Sequence, residues 1–185
     1  MIGVVLMIVL TIVLASILAT VAFSMGDRLH EPDFIGGSQN PWADDPLLGA
    51  ENPVAGAEDV RYRVFFEIEA GESGPLNHLV ITVDTDEDDM FSGTDKDDLE
   101  TFDVIRANGS RVDLTPAANW SAADNELEIS PEDGAIHVGS EDGETIEIIF
   151  GGVDNPADPG FYAVNVSIKQ GAIEPQQGEL EIVAG

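Results

Sequence analysis

The sequence predicts an α+β protein, with one long hydrophobic helix at the N-terminus and an all-β sandwich head after it. Three observations predict it. Met1 to Gly26 contains no charged residue, a Pro- and Gly-rich stretch follows, and beyond Val60 the chain breaks into about nine short runs rich in Val, Ile, Phe and Tyr. These mark three regions: residues 1–27 as a filament-core or transmembrane helix, 28–59 as a connector and 60–185 as the head.

The apolar run is too long for a strand or an ordinary core helix, and as a helix it spans about 39 Å. It needs lipid or its own copies around it. Lipid admits only a conformation that satisfies every backbone group within the segment, which makes it helical despite its many β-branched residues. Ala15, Ala19, Ala22 and Gly26 recur along one face, beside a second stripe of Ser16, Thr20 and Ser24. With Gly3 near the start, the first stripe is the candidate packing set, because small residues let helices approach closely. An ordinary single-pass anchor is the competing reading. The run has no basic n-region and exceeds the length of a secretory h-region, so it reads as no cleavable signal.

In the connector, Pro32, Pro41, Pro46 and Pro53 recur too closely for a regular helix. It reads as semi-extended. Phe34, Trp42, Leu47 and Leu48 supply apolar handles by which parts of it pack on the head or on a neighbouring subunit.

Strand signals fall at 60–70, 79–84, 101–107, 111–114, 126–130, 135–138, 144–150, 161–169 and 179–183, separated by Gly, Pro, Asp and Asn. Such runs fill two packed sheets. Glu179, Leu180, Glu181 and Ile182 alternate, as a strand with one buried and one solvated face does. Asp158-Pro-Gly-Phe-Tyr162-Ala-Val164 resembles the D-x-G-x-Y-x-C of immunoglobulin-type strands, with Val164 in the cysteine's place. There the tyrosine hydroxyl closes a corner on backbone, so the head is expected to be immunoglobulin-like.

Charge narrows the function. The net charge of −29 comes from 36 Asp and Glu against 7 Lys and Arg, all after Gly26. Such a field repels phosphate backbones, and nucleic acid is set aside as a partner. An acidic surface with few lysines stays hydrated in multimolar salt, which points to a halophilic source. With no cysteine in the chain, disulfides and thiolate chemistry are excluded.

No enzyme emerges. His30, His78 and His137 stand far apart, outside any metal spacing, and the G-x-S-x-G and phosphate-loop motifs are missing. Gly71-Glu-Ser73-Gly-Pro75 reads as a hairpin turn. Asp84, Asp86, Asp88 and Asp95 occupy positions 1, 3, 5 and 12 of an EF-hand-like loop, a spacing of hard oxygen donors that suits Ca²⁺ or Mg²⁺. Position 6 is Asp89 where the turn needs glycine, so a solvated acidic hairpin tip is the better reading. Asn108-Gly-Ser110, Asn119-Trp-Ser121 and Asn165-Val-Ser167 are acceptor sequons for N-linked glycans. Asn108 and Asn119 lie in turn-like surroundings, while Asn165 depends on which strand face it takes.

Read together, Ile2, Gly3, Val4, Leu6, Met7, Thr11, Val13, Leu14 and Ala15 resemble the N-terminal segment of archaeal type IV pilins, especially haloarchaeal adhesion pilins. The resemblance implies a precursor whose leader is cut by a prepilin peptidase just before the apolar run, leaving Met1 as the mature first residue. It further implies a temporary stay in the cell membrane and extraction by pilus assembly machinery into an extracellular helical homopolymer for adhesion or surface contact. Lipid and a bundle of like helices are comparable apolar solvents, so small-residue packing can tip that transfer. An archaellin-type motility subunit shares the rod and β head but usually begins with a G-I-G-T-L-type segment. A membrane-anchored surface binding protein is the third reading.

Overall fold

β-Branched and aromatic residues in period-two alternation build most of the head. A computed structural model describes residues 46–85, 90–169 and 172–185. Among them are twelve strands and two short 3₁₀ turns, Lys96–Asp98 and Thr115–Ala117. The class is therefore all-β, which corrects the α+β expectation: no long apolar helix occurs among the described residues, and none there can cross a membrane. The segment expected to be helical, 1–27, lies outside the described residues.

The first sheet contains β1 (Leu48–Ala50), β2 (Val60–Ile68), β5 (Leu99–Arg106), β6 (Arg111–Asp113) and β10 (Glu144–Val153), in the order β1-β2-β10-β5-β6. The second contains β4 (Leu79–Asp84), β7 (Ala118–Ala123), β8 (Glu126–Pro131), β11 (Gly160–Ile168) and β12 (Gln176–Ile182), in the order β12-β11-β4-β8-β7. β3 (Gly74–Leu76) and β9 (Ile136–Val138) form a separate two-stranded ribbon. All the strand pairs are antiparallel.

The core lies between the two sheets. Tyr62, Val64 and Phe66 alternate inward on β2, and Ile146, Ile148 and Phe150 do so on β10. Leu79, Ile81, Leu127, Ile129, Val164 and Val166 meet them from the other sheet. Phe150 stacks on Tyr62 at 6.1 Å and takes the edge of Trp120 from the second sheet at 5.6 Å. Such ring pairs add about 1 kcal/mol each beyond the area they bury.

Each expected strand run coincides with an observed strand. β1, β3 and β7 were not expected. Gly74 and Pro75, read as turn residues, belong to β3 and pair with β9. Leu47 and Leu48 do pack on the head: Leu48 is buried and Leu47 lies against Gly178 of β12. Residues 53–55 are held further by Val183, whose N–H donates to the Pro53 carbonyl and whose carbonyl accepts from Ala55.

Candidate functional site

Asp84 stands exposed at the end of β4, and Asp86 and Asp88 lie outside the described residues. Asp95 has a local task. Its carboxylate accepts from Asp97 N–H at 2.7 Å, while Asp98 accepts from Asp95 N–H at 2.8 Å, which together cap the first 3₁₀ turn. The segment from Asp84 to Asp95 links β4 in one sheet to β5 in the other, so it is a crossover rather than a hairpin tip. Its flanks are pinned by Asn125, which accepts from Met90 N–H and donates to the Thr85 carbonyl, and by the buried Phe91. Among the described residues no cluster of three or more acidic or histidine side chains could hold a metal ion.

The sequons separate by position. Asn108 is exposed in the β5–β6 turn, where its side chain accepts from Ser110 N–H at 2.9 Å. Asn119 is exposed on edge strand β7, opposite Ser130. Asn165 is half-buried on β11, paired with Thr82 and Gln177 on its two neighbours. On β7 and β11 the inward residues are Ala118, Val164 and Val166, so Asn119 and Asn165 both project from the outer face of the second sheet. The turn-like surroundings expected for Asn119 are a strand instead, because Trp120 and Ala122 turn inward against the core.

The outward face of the first sheet carries three arginines among the described residues, Arg61, Arg63 and Arg111, each held by carboxylates. Arg61, Arg63, Arg106 and Arg111 are all on its strands. Arg63 reaches Glu147 at 2.7 Å, and Arg111 bonds both Asp103, at 3.0 Å, and Glu147. Arg61 reaches Glu100 at 2.5 Å and Glu51 at 3.4 Å. Hydrogen bonds to Asp103 and then to Glu147 push the Arg111 guanidinium pKa up, as the bond to Glu100 does for Arg61. The sequence reading missed this ladder. Its signal was the alternation of Arg61, Arg63, Phe65 and Glu67 on one face of β2.

Tyr162 makes the corner its motif predicted, its hydroxyl donating to the Asp158 carbonyl at 2.5 Å, with Val164 buried two residues on. A second tyrosine ties the chain that enters the head. Buried Tyr62 donates to the Asn155 side-chain oxygen at 2.6 Å, and the Asn155 amide donates to the carbonyls of Asn52 and Val54 at 2.8 Å each. Burial pushes the Tyr62 phenol pKa up, so it stays a neutral donor. His78 lies 2.5 Å from Glu128, which also takes Lys169 at 2.5 Å, while His137 is exposed on β9. His30 and the packing set Gly3, Ala15, Ala19, Ala22 and Gly26 lie outside the described residues.

The described part is thus a two-sheet β-sandwich with a compensated charged face on one sheet and strand-borne sequons on the other. By sequence, the chain belongs to the family described as "Protein of unknown function (DUF2808)", which matches residues 44–180. Residues 1–33 match the family "Archaeal Type IV pilin, N-terminal". No curated protein matches the chain.

Among solved structures the chain is similar to the pilus 2b backbone protein of group B streptococcus, at 14% identity and a TM-score of 0.40, covering 73% of this chain and 56% of that one. It is also similar to the N-terminal domain of the Streptococcus gordonii adhesin Sgo0707, at 13% identity and a TM-score of 0.35, covering 76% and 33%. For self-complemented MyfA, the major subunit of Myf fimbriae from Yersinia enterocolitica, the values are 16% and 0.30, covering 74% and 95%. The chain spans just over half the length of the first and a third of the second. Scores this low define neither topology nor role.

Proposed function

We propose that this chain is the repeating subunit of an extracellular archaeal type IV pilus, built by packing of the apolar N-terminal segments and used for adhesion or surface contact. The observation that carries the reading is the uncharged run Met1 to Gly26, inside the region that matches archaeal pilins and ahead of a folded β head. A prepilin peptidase and pilus assembly machinery are its processing partners, with the cell membrane as the staging environment. Ala15, Ala19, Ala22 and Gly26, with Gly3, form the close-packing stripe. Heterologous contacts that do not close on themselves then extend into a filament. The acidic head suits a halophilic exterior, and N-linked glycans at Asn108, Asn119 and Asn165 add hydration without charge. No cofactor is needed for this role, and Asp84, Asp86, Asp88 and Asp95 remain a Ca²⁺ site only in the weaker reading.

Electron microscopy of surface preparations from cells with and without the gene tests the reading directly. Filaments that react with antibody to the head and vanish on deletion are expected. A protein extracted only as a detergent-bound monomer, with filaments unaffected, overturns it in favour of a membrane-anchored surface protein. Attachment of the deletion strain to a surface tests adhesion separately.

A further inference from the structure

We infer that the outer face of the β1-β2-β10-β5-β6 sheet is the surface on which a second copy of this chain packs, an inference that rests on the pilus-subunit reading. Copies carrying a net charge of −29 repel one another, so contact is favoured where a head's own charges are already compensated. The centre of this face meets that condition, with two guanidiniums, Arg63 and Arg111, bonded to two carboxylates, Glu147 and Asp103. Although they point away from the core, Glu147 is only 6% exposed and Asp103 only 8%. Most of the desolvation of these carboxylates is already met within the single subunit. Covering them therefore adds little of the penalty that normally opposes burying ion pairs.

The surroundings fit the same partner. Phe65, Ile105 and Ile149 are half-buried between the charged residues, and the Arg63 guanidinium lies 4.8 Å above the Phe65 ring. Arg111 keeps about half of its side chain exposed, at 52%, so it has further N–H donors for a carboxylate of the second copy. That copy supplies carboxylates in abundance. The outer face of the opposite sheet carries two of the sequon residues, Asn119 and Asn165, on its strands, with the exposed acids Asp84, Glu179 and Glu181.

The chain has no cysteine, so single-cysteine variants of the full chain report this directly. Thr101 lies on the first sheet's outer face opposite Ile149, and Ala163 lies on the outer face of the second. On assembly from detergent-dispersed subunits into filaments, maleimide labelling of Thr101→Cys is expected to slow at least about tenfold, as water-excluding interfaces require. Labelling of Ala163→Cys is expected to be unchanged. As a second measurement, Arg111→Glu is expected to yield filaments that dissociate at milder conditions, and Lys169→Glu to leave them as they are. Equal labelling of Thr101→Cys in both states, or protection of Ala163→Cys instead, overturns the inference while the filaments themselves still stand. Absence of filaments from the parent chain overturns the pilus reading and this inference with it.

Discussion

Asn155 holds the entering chain to the sandwich through three side-chain hydrogen bonds, to Tyr62, Asn52 and Val54. Asn155→Ala strands the buried Tyr62 hydroxyl and removes one bond each from the exposed Asn52 carbonyl and from the Val54 carbonyl, which keeps Ala57 N–H, and a loss of about 2 kcal/mol is expected in the unfolding free energy of the head. Tyr162→Phe removes one bond at a partly exposed corner and is expected to cost about 1 kcal/mol in the same measurement. The reverse ranking would place the chief tie of the sandwich at the corner. Lys169 and Glu128 supply a pH dependence. The hydrogen bond from Lys169 holds the Glu128 carboxyl below its ordinary pKa, and Glu128 raises that of Lys169. The pair's contribution is therefore present above the ordinary glutamate pKa and is lost as pH falls through the lowered one. On the alkaline side it persists below the ordinary lysine pKa and is lost as pH rises through the raised one. Stability of parent and Lys169→Met measured against pH should differ at neutrality and converge at the acidic end.

Elements are joined by turns whose tolerance differs with their surroundings. Gly139, between β9 and β10, has φ +87°, and a Cβ there would stand 2.3 Å from the Glu72 carbonyl oxygen. Gly56 has φ +67° with open space around it. Gly56→Ala is expected to cost about 1 kcal/mol, the conformational term alone. Gly139→Ala must also push two chain segments apart, so thermal unfolding should show the larger drop there by a clear margin. The strands themselves were legible wherever alternation was long enough, as in β2, β4, β10 and β11. Leu48–Ala50, Gly74–Leu76 and Ala118–Ala123 were not, since three residues carry no period and ANWSAA lacks the β-branched signal. Their strand state is decided by partners: Val64 to Tyr62 for β1, Val138 to Ile136 for β3, and Pro131 to Glu126 for β7.

For the whole molecule, charge is the dominant variable. The chain has 36 acidic residues against 7 basic ones, most of them in the head, and folding concentrates like charge that the unfolded chain spreads out. Raising salt shortens the screening length to about 3 Å at 1 M, which relieves that repulsion. The melting temperature of the head is expected to rise steadily from dilute buffer to about 2 M KCl. A flat or falling profile would remove the physical case for a halophilic setting. The effect should be smallest for contacts inside the Arg63–Glu147–Arg111–Asp103 cluster, which bulk ions reach poorly.

The sequence by itself determined the segregation into an uncharged apolar segment and an acidic head, the absence of thiol chemistry, the sequon positions and most of the strands. Each of these is carried by composition or by a local period. The tyrosine corner was also legible, because its bond spans only four residues, from Tyr162 to Asp158. Which residues share a face was decided only by tertiary structure. Asn119 and Asn165 reach one face through β8 and β4, and Arg63, Glu147, Arg111 and Asp103 meet across β2, β10, β5 and β6. Those juxtapositions rest on the register between strands distant in the chain, and a register shift of one residue would send every side chain of a strand to the opposite face.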